Sequence, residues 1–290
     1  MNASIIIVNW NTGPMLRECL DSLAGAFSNN EEYEVFVIDN ASADQSIAIA
    51  EGSRQQIRLF KIKNNLGFAK ANNIGIRQAK GDYVILLNPD TVATEGSFTK
   101  LINFLQDKPR VGAVGPRLLN ADLSWQPSCR RFPTAVVLAV MFLKIPHLFP
   151  SLEIYRKYLM KDFAYEKATA VDQIMGACMV IPREVINRVG LLDEKYWIWF
   201  EEVDWCRRAK EQGFEIWFAP VAEIIHYGGV SFKQAFVPIR KEWRFMRSAL
   251  RYVRKHLGVL RWILLCLIAP LGLIIDSLTM FLWLKPSEKK

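Results

Sequence analysis

The chain has little histidine, three residues in 290, and its five cysteines (Cys19, Cys129, Cys178, Cys206 and Cys266) are odd in number and scattered, with no C-x-x-C pair. Neither a disulfide framework nor a structural zinc site is indicated, and a reducing compartment is the natural setting. A basic n-region followed by a cleavable apolar stretch is also missing: the chain enters directly as "SIIIVNW" from Ser4, so no secretory signal is expected. Apolar material, by contrast, is plentiful. At 51% hydrophobic residues there is enough for one large domain or two small ones. The formal net charge of +8 is unevenly spread, because 233–261 is crowded with Lys and Arg while the acidic residues lie mostly upstream. That asymmetry points to an anionic surface near the C-terminus.

Short β-branched runs alternate with amphipathic segments. The runs are 4–8, 33–38, 57–62, 83–87 and 111–115, and the helical patterns between them fall near 14–24, 43–51, 68–79 and 95–106. Strict alternation predicts an α/β fold with a mostly parallel sheet and helices on both faces. In such sheets ligands bind beyond the C-terminal ends of the strands. The residues at those ends are Asn9 and Asn11, Asp39 and Asn40, Asn64 and Asn65, and Asn88 and Asp90. Any one of them reads first as a turn former or helix N-cap. Four strand ends carrying such groups make a polar rim, which capping alone does not require.

The stretches "SIIIVNWNTGPMLRECLDSL", "VFVIDNASADQS", "NLGFAKANNIGI" and "GDYVILLNPD", followed by "MGACMVIPREVINRVGLLDEKYWIWFEEVDWCRRAKEQGFEIWFAP" and "IIHYGGVS", resemble the inverting family 2 glycosyltransferases of glycosyltransferase-A fold. The rhamnosyltransferase-like branch is the nearest in pattern, and the resemblance covers roughly 3–232. It implies a Rossmann-like catalytic domain over 1–232 and a nucleotide-sugar donor, with L-rhamnose from dTDP-rhamnose as the leading candidate. Asn9, Asp39, Asn65, Asn72, Asn88 and Asp90 are then the donor-side residues, with Asp39 receiving the pyrimidine ring. Asn88-Pro89-Asp90 stands where the family carries D-x-D, with Asn88 in place of the first Asp. Asp90 and His226 are thereby the expected ligands of a divalent Mg²⁺ or Mn²⁺, which would offset the charge of the departing nucleoside diphosphate. The family's Glu-Asp pair falls on Glu201-Glu202, which makes Glu202 the expected catalytic base, with Glu201, Asp204 and Trp199 on the acceptor side. Acidic residues in a first helical turn are also favoured by the helix dipole, and Asp204 with Arg208 is an ordinary i, i+4 pair.

Two apolar stretches remain. The first, 135–149, is interrupted by Lys144 and Pro146 and reads equally as a buried helix or as a lipid-facing or acceptor-side flap. The second, 262–284, carries one charge, Asp276, in 23 residues and follows a basic, aromatic segment over 241–261. Basic plus aromatic is compatible with nucleic acid, but the apolar run that follows favours membrane lipid as the partner, either as a span or, given Pro270 and Gly272, as a re-entrant hairpin. Region 233–290 is accordingly expected to hold the protein at the cytoplasmic face of the cell membrane, where the acceptor would be a lipid-linked glycan. Two alternatives stand beside this reading: a sugar-phosphate nucleotidyltransferase, for which "NWNTGPM" supplies no glycine-rich loop, and a nucleotide-binding membrane scaffold without activity.

Overall fold

In the first strand, β1 (Asn2–Asn9), alternate side chains enter two different cores, and this explains why its sequence is apolar at every position from 5 to 8. Ile5 and Ile7 belong to one cluster and Ile6 and Val8 to the other, as a period of two demands of a strand buried on both faces. The computed structural model describes residues 2–28, 31–106, 108–228 and 238–283. Within them β1 pairs in parallel with β2 (Glu32–Asp39) and β4 (Tyr83–Leu87), and β2 pairs in parallel with β3 (Ile57–Lys61). The helices α1 (Gly13–Ala26), α2 (Ser46–Glu51) and α4 (Ser97–Gln106) cover one face. On the other lie α3 (Phe68–Gln78), α8 (Arg183–Val189) and α9 (Glu201–Glu211).

Beyond β4 the sheet ceases to be parallel. The order continues through β11 (Cys178–Pro182), β6 (Val111–Leu119), β12 (Glu215–His226) and β5 (Thr91–Ala93). β11 runs antiparallel to both β4 and β6, and β5 antiparallel to β12. β7 (Trp125–Gln126) and β9 (Thr169–Val171) add antiparallel edges to β6 and β12, so the ten-stranded sheet is mixed, not mostly parallel. The reason lies in the chain path: β11 comes from a part of the sequence without strand-helix alternation and inserts as a reversed strand between two elements laid down earlier. A separate two-stranded ribbon joins β8 (Cys129–Arg130) to β10 (Gln173–Ile174).

The stretch 135–149 forms α5 (Ala135–Phe142) and α6 (Ile145–Leu148), split by Lys144 in the left-handed region at φ 56°. Thr134 caps α5 by accepting from the Val137 N–H (3.2 Å). After α7 (Glu153–Tyr158), α8 and α9, the C-terminal part comprises α10 (Pro238–His256) and α11 (Val259–Trp283), separated at Gly258.

No helix among the described residues is long and apolar enough to cross a membrane, so the expected span over 262–284 is not found; position 284 lies outside the described residues. One reason is visible in the packing. Leu265, Ala269 and Gly272 are buried, and the first two join a third core with Leu138, Phe142, Tyr196, Phe200, Val203, Met246, Ala249, Tyr252 and Val253. A helix face engaged by the protein's own core is not available to lipid. Gly272 fixes the closeness of that contact, since a Cβ there would lie 2.4 Å from the Phe142 carbonyl oxygen.

Candidate active site

The C-terminal ends of β1, β2 and β4 open onto a cleft of about 370 Å³. Its wall includes Trp10, Asn40, Asn65, Asn88, Asp90, Trp197, Trp199, Glu201, Glu202 and His226. Among the expected site residues, the fold thus brings Asn65, Asn88, Asp90, His226, Trp199, Glu201 and Glu202 to one place. Asn9, Asp39, Asn72 and Asp204 are not on this wall, for reasons their partners make clear.

Asn9 is fully buried and braces the rim from behind. Its Nδ2 donates to Asp39 Oδ1 and Ser42 Oγ, both at 3.0 Å, while its Oδ1 accepts from the Thr12 hydroxyl. The second Asp39 oxygen accepts from the Ser42 N–H (3.1 Å), so this carboxylate closes the turn after β2. Asn72 returns its amide to the Phe68 carbonyl one turn back in α3 (3.0 Å). Asn40 takes the place these residues leave on the cleft wall. It accepts from the Leu66 N–H (2.8 Å) and donates to Asn65 Oδ1 (3.1 Å), which fixes the loop that carries Asn65.

At one part of the cleft, antiparallel pairing of β5 with β12 sets His226 opposite Thr91, one residue after Asp90. His226 Nε2 consequently lies 3.4 Å from Asp90 Oδ1 and 3.3 Å from Asn88 Nδ2. Its other ring nitrogen, Nδ1, meets Gln126 Oε1 at 2.6 Å. Gln126 cannot present its nitrogen there, because Nε2 already donates to the Asn120 side-chain oxygen (2.9 Å) and to the His226 carbonyl (3.0 Å). The network therefore places a proton on Nδ1, and in the neutral ring the Nε2 lone pair faces Asp90 and Asn88. That is the tautomer a metal ligand needs.

No group of three or more His, Cys, Asp or Glu side chains among the described residues forms a metal cage. One carboxylate and one imidazole fit a different arrangement, in which a Mg²⁺ or Mn²⁺ ion takes most of its ligands from phosphate oxygens and water. Gly229 to Ser231, the remainder of the His-Tyr-Gly-Gly-Val-Ser segment, lie outside the described residues.

The acidic side is built on backbone strain. Trp199 and Phe200 both adopt left-handed conformations (φ 59° and 70°), at a cost of about 1 to 2 kcal/mol each for side-chain-bearing residues. The strained pair turns the chain sharply into α9, so Glu201 and Glu202 enter the cleft from the first helical turn. An outer oxygen of each, Oε2, is buried without a hydrogen-bond partner. Burial pushes the Glu202 carboxyl up, and burial together with the adjoining Glu202 charge pushes Glu201 well above the usual carboxylate range. Two adjoining buried carboxyls resist ionising together, so the pair gives up its first proton above the usual carboxylate range.

Asp204 is occupied elsewhere. Wholly buried, it receives Arg208 Nε (2.8 Å), Lys255 Nζ (2.6 Å) and His256 Nε2 (2.7 Å). These partners outweigh the penalty of burial and hold its carboxyl far below the ordinary range. It is a structural anchor between α9 and α10. Thiol chemistry has no place in the cleft either: Cys19 and Cys206 are buried, and burial pushes both up to about 12.

Trp197 and Gly67 are parts of the cleft that sequence reasoning passed over. The Phe68 N–H donates to the Trp197 carbonyl (2.7 Å), and a Cβ on Gly67 would stand 2.3 Å from that oxygen, so only glycine permits the contact. Gln126 also went unnoticed, since it lies 100 residues from His226 in a segment with no motif of its own.

Residues 4–164 match the family model described as Glycosyl transferase family 2. Among curated proteins, the chain is similar to N-acetylglucosaminyl-diphospho-decaprenol L-rhamnosyltransferase of Mycobacterium tuberculosis, with 28% identity over 77% of this chain and 75% of the relative. It is also similar to rhamnosyltransferase WbbL of Escherichia coli, with 24% identity over 87% of this chain and 92% of the relative. Among solved structures, the mannosyltransferase PcManGT from Pyrobaculum calidifontis in complex with GDP-Man and Mn²⁺ superimposes with a TM-score of 0.61, at 18% identity, over 93% of this chain and 69% of that one. Other matched structures are longer, and the chain spans 44% of two of them.

Proposed function

The chain belongs to glycosyl transferase family 2 and is a glycosyltransferase; from that premise we propose that it moves L-rhamnose from dTDP-rhamnose, with inversion, onto a lipid-linked glycan in the synthesis of cell-surface polysaccharide. The observation that carries this reading is that one cleft holds Asp90 and His226 together with Glu201 and Glu202, each of which keeps one carboxyl oxygen buried. A diphosphate and a sugar make opposite demands on a site: the first asks for cations, the second for a base near its anomeric carbon.

Asp90 and His226 would hold a divalent ion against the donor diphosphate, and Asn65 and Asn88 would donate hydrogen bonds to the same donor. When bound, that ion supplies positive charge against which a nucleoside diphosphate can depart. Glu202 accepts the proton of the acceptor hydroxyl as its oxygen bonds to the anomeric carbon, and the bond from that carbon to the diphosphate oxygen breaks on the opposite side. Support for Glu202 comes from its place on the cleft wall and from its burial, which makes its carboxylate more basic than a solvated one. Trp199 lines the same space and supplies aromatic surface against which a sugar ring would pack.

The choice of rhamnose and of a lipid-linked acceptor draws on the similarity to the mycobacterial enzyme, whose name specifies both. A metal-dependent donor site draws on the Mn²⁺ complex of the mannosyltransferase, whose fold is shared. The reaction would run at the cytoplasmic face of the cell membrane, where a polyprenyl-linked acceptor presents its sugar. The test is incubation of purified protein with a panel of nucleotide sugars and a polyprenyl-diphosphate-linked N-acetylglucosamine, with nucleoside diphosphate release measured for each donor. Release of dTDP from dTDP-rhamnose, dependent on acceptor, is expected; equal release from UDP- or GDP-sugars refutes the donor assignment.

A further inference from the structure

Helix α11 has two apolar faces, and the protein uses only one. Leu265, Ala269 and Gly272 turn inward, against Phe142 and Met246 among others. On the opposite side Leu260, Ile263, Leu264, Leu267, Leu271 and Ile274 are 45 to 72% exposed. Their spacing of three and four residues places them, with Pro270, on a single arc about 120° wide. No polar or charged residue falls on that arc between Leu260 and Ile274. At a rise of about 1.5 Å per residue the stripe is roughly 21 Å long. So continuous an apolar strip marks a contact surface.

The charge around it says what the contact is. Residues 233–290 hold 12 Lys and Arg against 3 Asp and Glu, a net +9, while the whole chain carries +8; everything upstream sums to −1. Arg240, Lys241, Arg247, Arg254 and Arg261 are exposed, with Arg261 adjoining Leu260 and the Arg254 guanidinium 5.1 Å over the Trp262 ring. A second copy of the chain would bring the same positive charge against itself. An anionic lipid surface complements both features: headgroups for the arginines and acyl chains for the stripe.

We propose that α11 lies in the plane of an anionic bilayer leaflet with the Leu260–Ile274 stripe immersed, instead of crossing the membrane. The inward face from Leu265 to Gly272 packs on the catalytic domain, so over these turns the helix offers lipid one side and not its whole circumference. The cleft would then be carried at a fixed height over the leaflet, which suits a substrate whose lipid tail remains in it. Vesicle binding is measured without donor or acceptor, so its outcome is independent of the transfer assay.

The experiment is flotation of the full chain with sealed phosphatidylcholine vesicles, with and without phosphatidylglycerol, beside its mass in solution by light scattering. A monomer that floats with the anionic vesicles at least tenfold better than with neutral ones is expected. The double variant Leu267→Glu/Leu271→Glu should bind about 100-fold more weakly, at about tenfold for each leucine withdrawn from lipid, with unchanged circular dichroism. If that variant is unfolded, Leu267→Gln/Leu271→Gln serves in its place, and unchanged flotation by the folded variant overturns the proposal. A tag at the C-terminus should remain open to protease added outside the vesicles; a protected tag means a span and overturns the in-plane arrangement. Absence of flotation overturns it as well, and so does a dimer in solution that the same double variant dissociates, since the stripe would then cover a second copy.

Discussion

Glu202→Gln separates chemistry from stability, because the same burial that suits Glu202 to its proposed role as base makes its charge costly to the fold. On the kinetic side, losing a general base lowers turnover by about 10²- to 10⁴-fold, which corresponds to roughly 2.7 to 5.4 kcal/mol on the barrier. On the stability side the sign runs the other way. Both glutamates have folded pKa values raised above the ordinary 4.5, so the pair favours unfolding at pH values above that figure and is neutral below it. Glu202→Gln removes the charge with almost no change of shape. The variant should therefore melt at a higher temperature than the parent at pH 8, by a margin that shrinks as pH falls and vanishes near pH 4.5. The assays are acceptor-dependent dTDP release and scanning calorimetry from pH 4.5 to 8. A base works in its ionised form, so with Glu202 in that role the parent's kcat/KM should rise with pH through a limb lying above the usual glutamate range, and the variant should lose that limb. Near-parental turnover with the pH limb intact would refute the base assignment. Slow turnover with an unchanged or lowered melting temperature at pH 8 would refute the account of the buried charge.

Removing divalent cations with EDTA should abolish transfer and Mn²⁺ or Mg²⁺ should restore it, with full activity in excess chelator refuting the metal reading. Gln126→Leu frees the His226 ring, and Mn²⁺ binding in the presence of dTDP, followed by electron paramagnetic resonance, should weaken by about 10- to 100-fold; unchanged binding would remove Gln126 from the site. Asp204→Asn withdraws the negative partner from Arg208, Lys255 and His256, and should cost about 3 kcal/mol or more in urea unfolding. The lowered pKa of Asp204 means that its contribution is present above the ordinary value of 3.8 and is lost as pH falls below it, so parent and variant should converge in strong acid. Gly67→Ala would force a methyl group onto the Trp197 carbonyl at a backbone φ of 84°, and a loss of about 2 kcal/mol or more in thermal or urea unfolding is expected.

The half of the fold built from strand-helix alternation was legible residue by residue. The runs at 4–8, 33–38, 57–62 and 83–87 sit inside β1 to β4 or within a residue of them, because a strand buried on both faces must be apolar at successive positions. The antiparallel insertion of β11 was not legible, since strand direction depends on which neighbours are already in place and leaves no local mark. The cleft divides the same way. Asn88-Pro89-Asp90, His226 and Glu201-Glu202 stood in recognisable segments, and all of them line it. Asn9 and Asn72 belonged to equally recognisable segments, yet their amides are spent inside the protein. Whether such an Asn faces outward is decided by the partner beside it, Asp39 for Asn9 at the end of β1 and the Phe68 carbonyl for Asn72 within α3. In the apolar stretch 262–284 composition alone does not separate a span from a helix with an inward face that packs on Phe142 and an exposed outward face, which is what its described side chains show.

The turn from 193 into the start of α9 links the loop before α3, the cleft wall and the C-terminal helices. Its Trp197 carbonyl holds the start of α3 beside the donor-side asparagines, and its strained Trp199-Phe200 step delivers Glu202. Toward the C-terminal helices, the Ile198 carbonyl accepts from the Ser248 hydroxyl (2.7 Å), Asp193 binds Arg251 (2.7 Å) and Lys255 (3.0 Å), and Asp204 receives Lys255 and His256. Two consecutive left-handed residues persist only where the surroundings over-determine them, and α10 supplies much of that restraint. The basic region that differs so sharply in composition from the rest of the chain is therefore mechanically joined to the acid-base turn. If α11 rests on lipid, the leaflet positions the turn that carries the proposed base, and deleting the C-terminal helices to obtain a freely soluble enzyme should lower turnover even when acceptor is supplied in detergent. Truncation after residue 237 would expose Tyr196, Phe200 and Val203 and release the strained step, so dTDP binding by calorimetry should survive better than transfer. Loss of both in equal measure would mean that the helices only stabilise the fold, and retention of full transfer would mean that the turn holds its shape unaided.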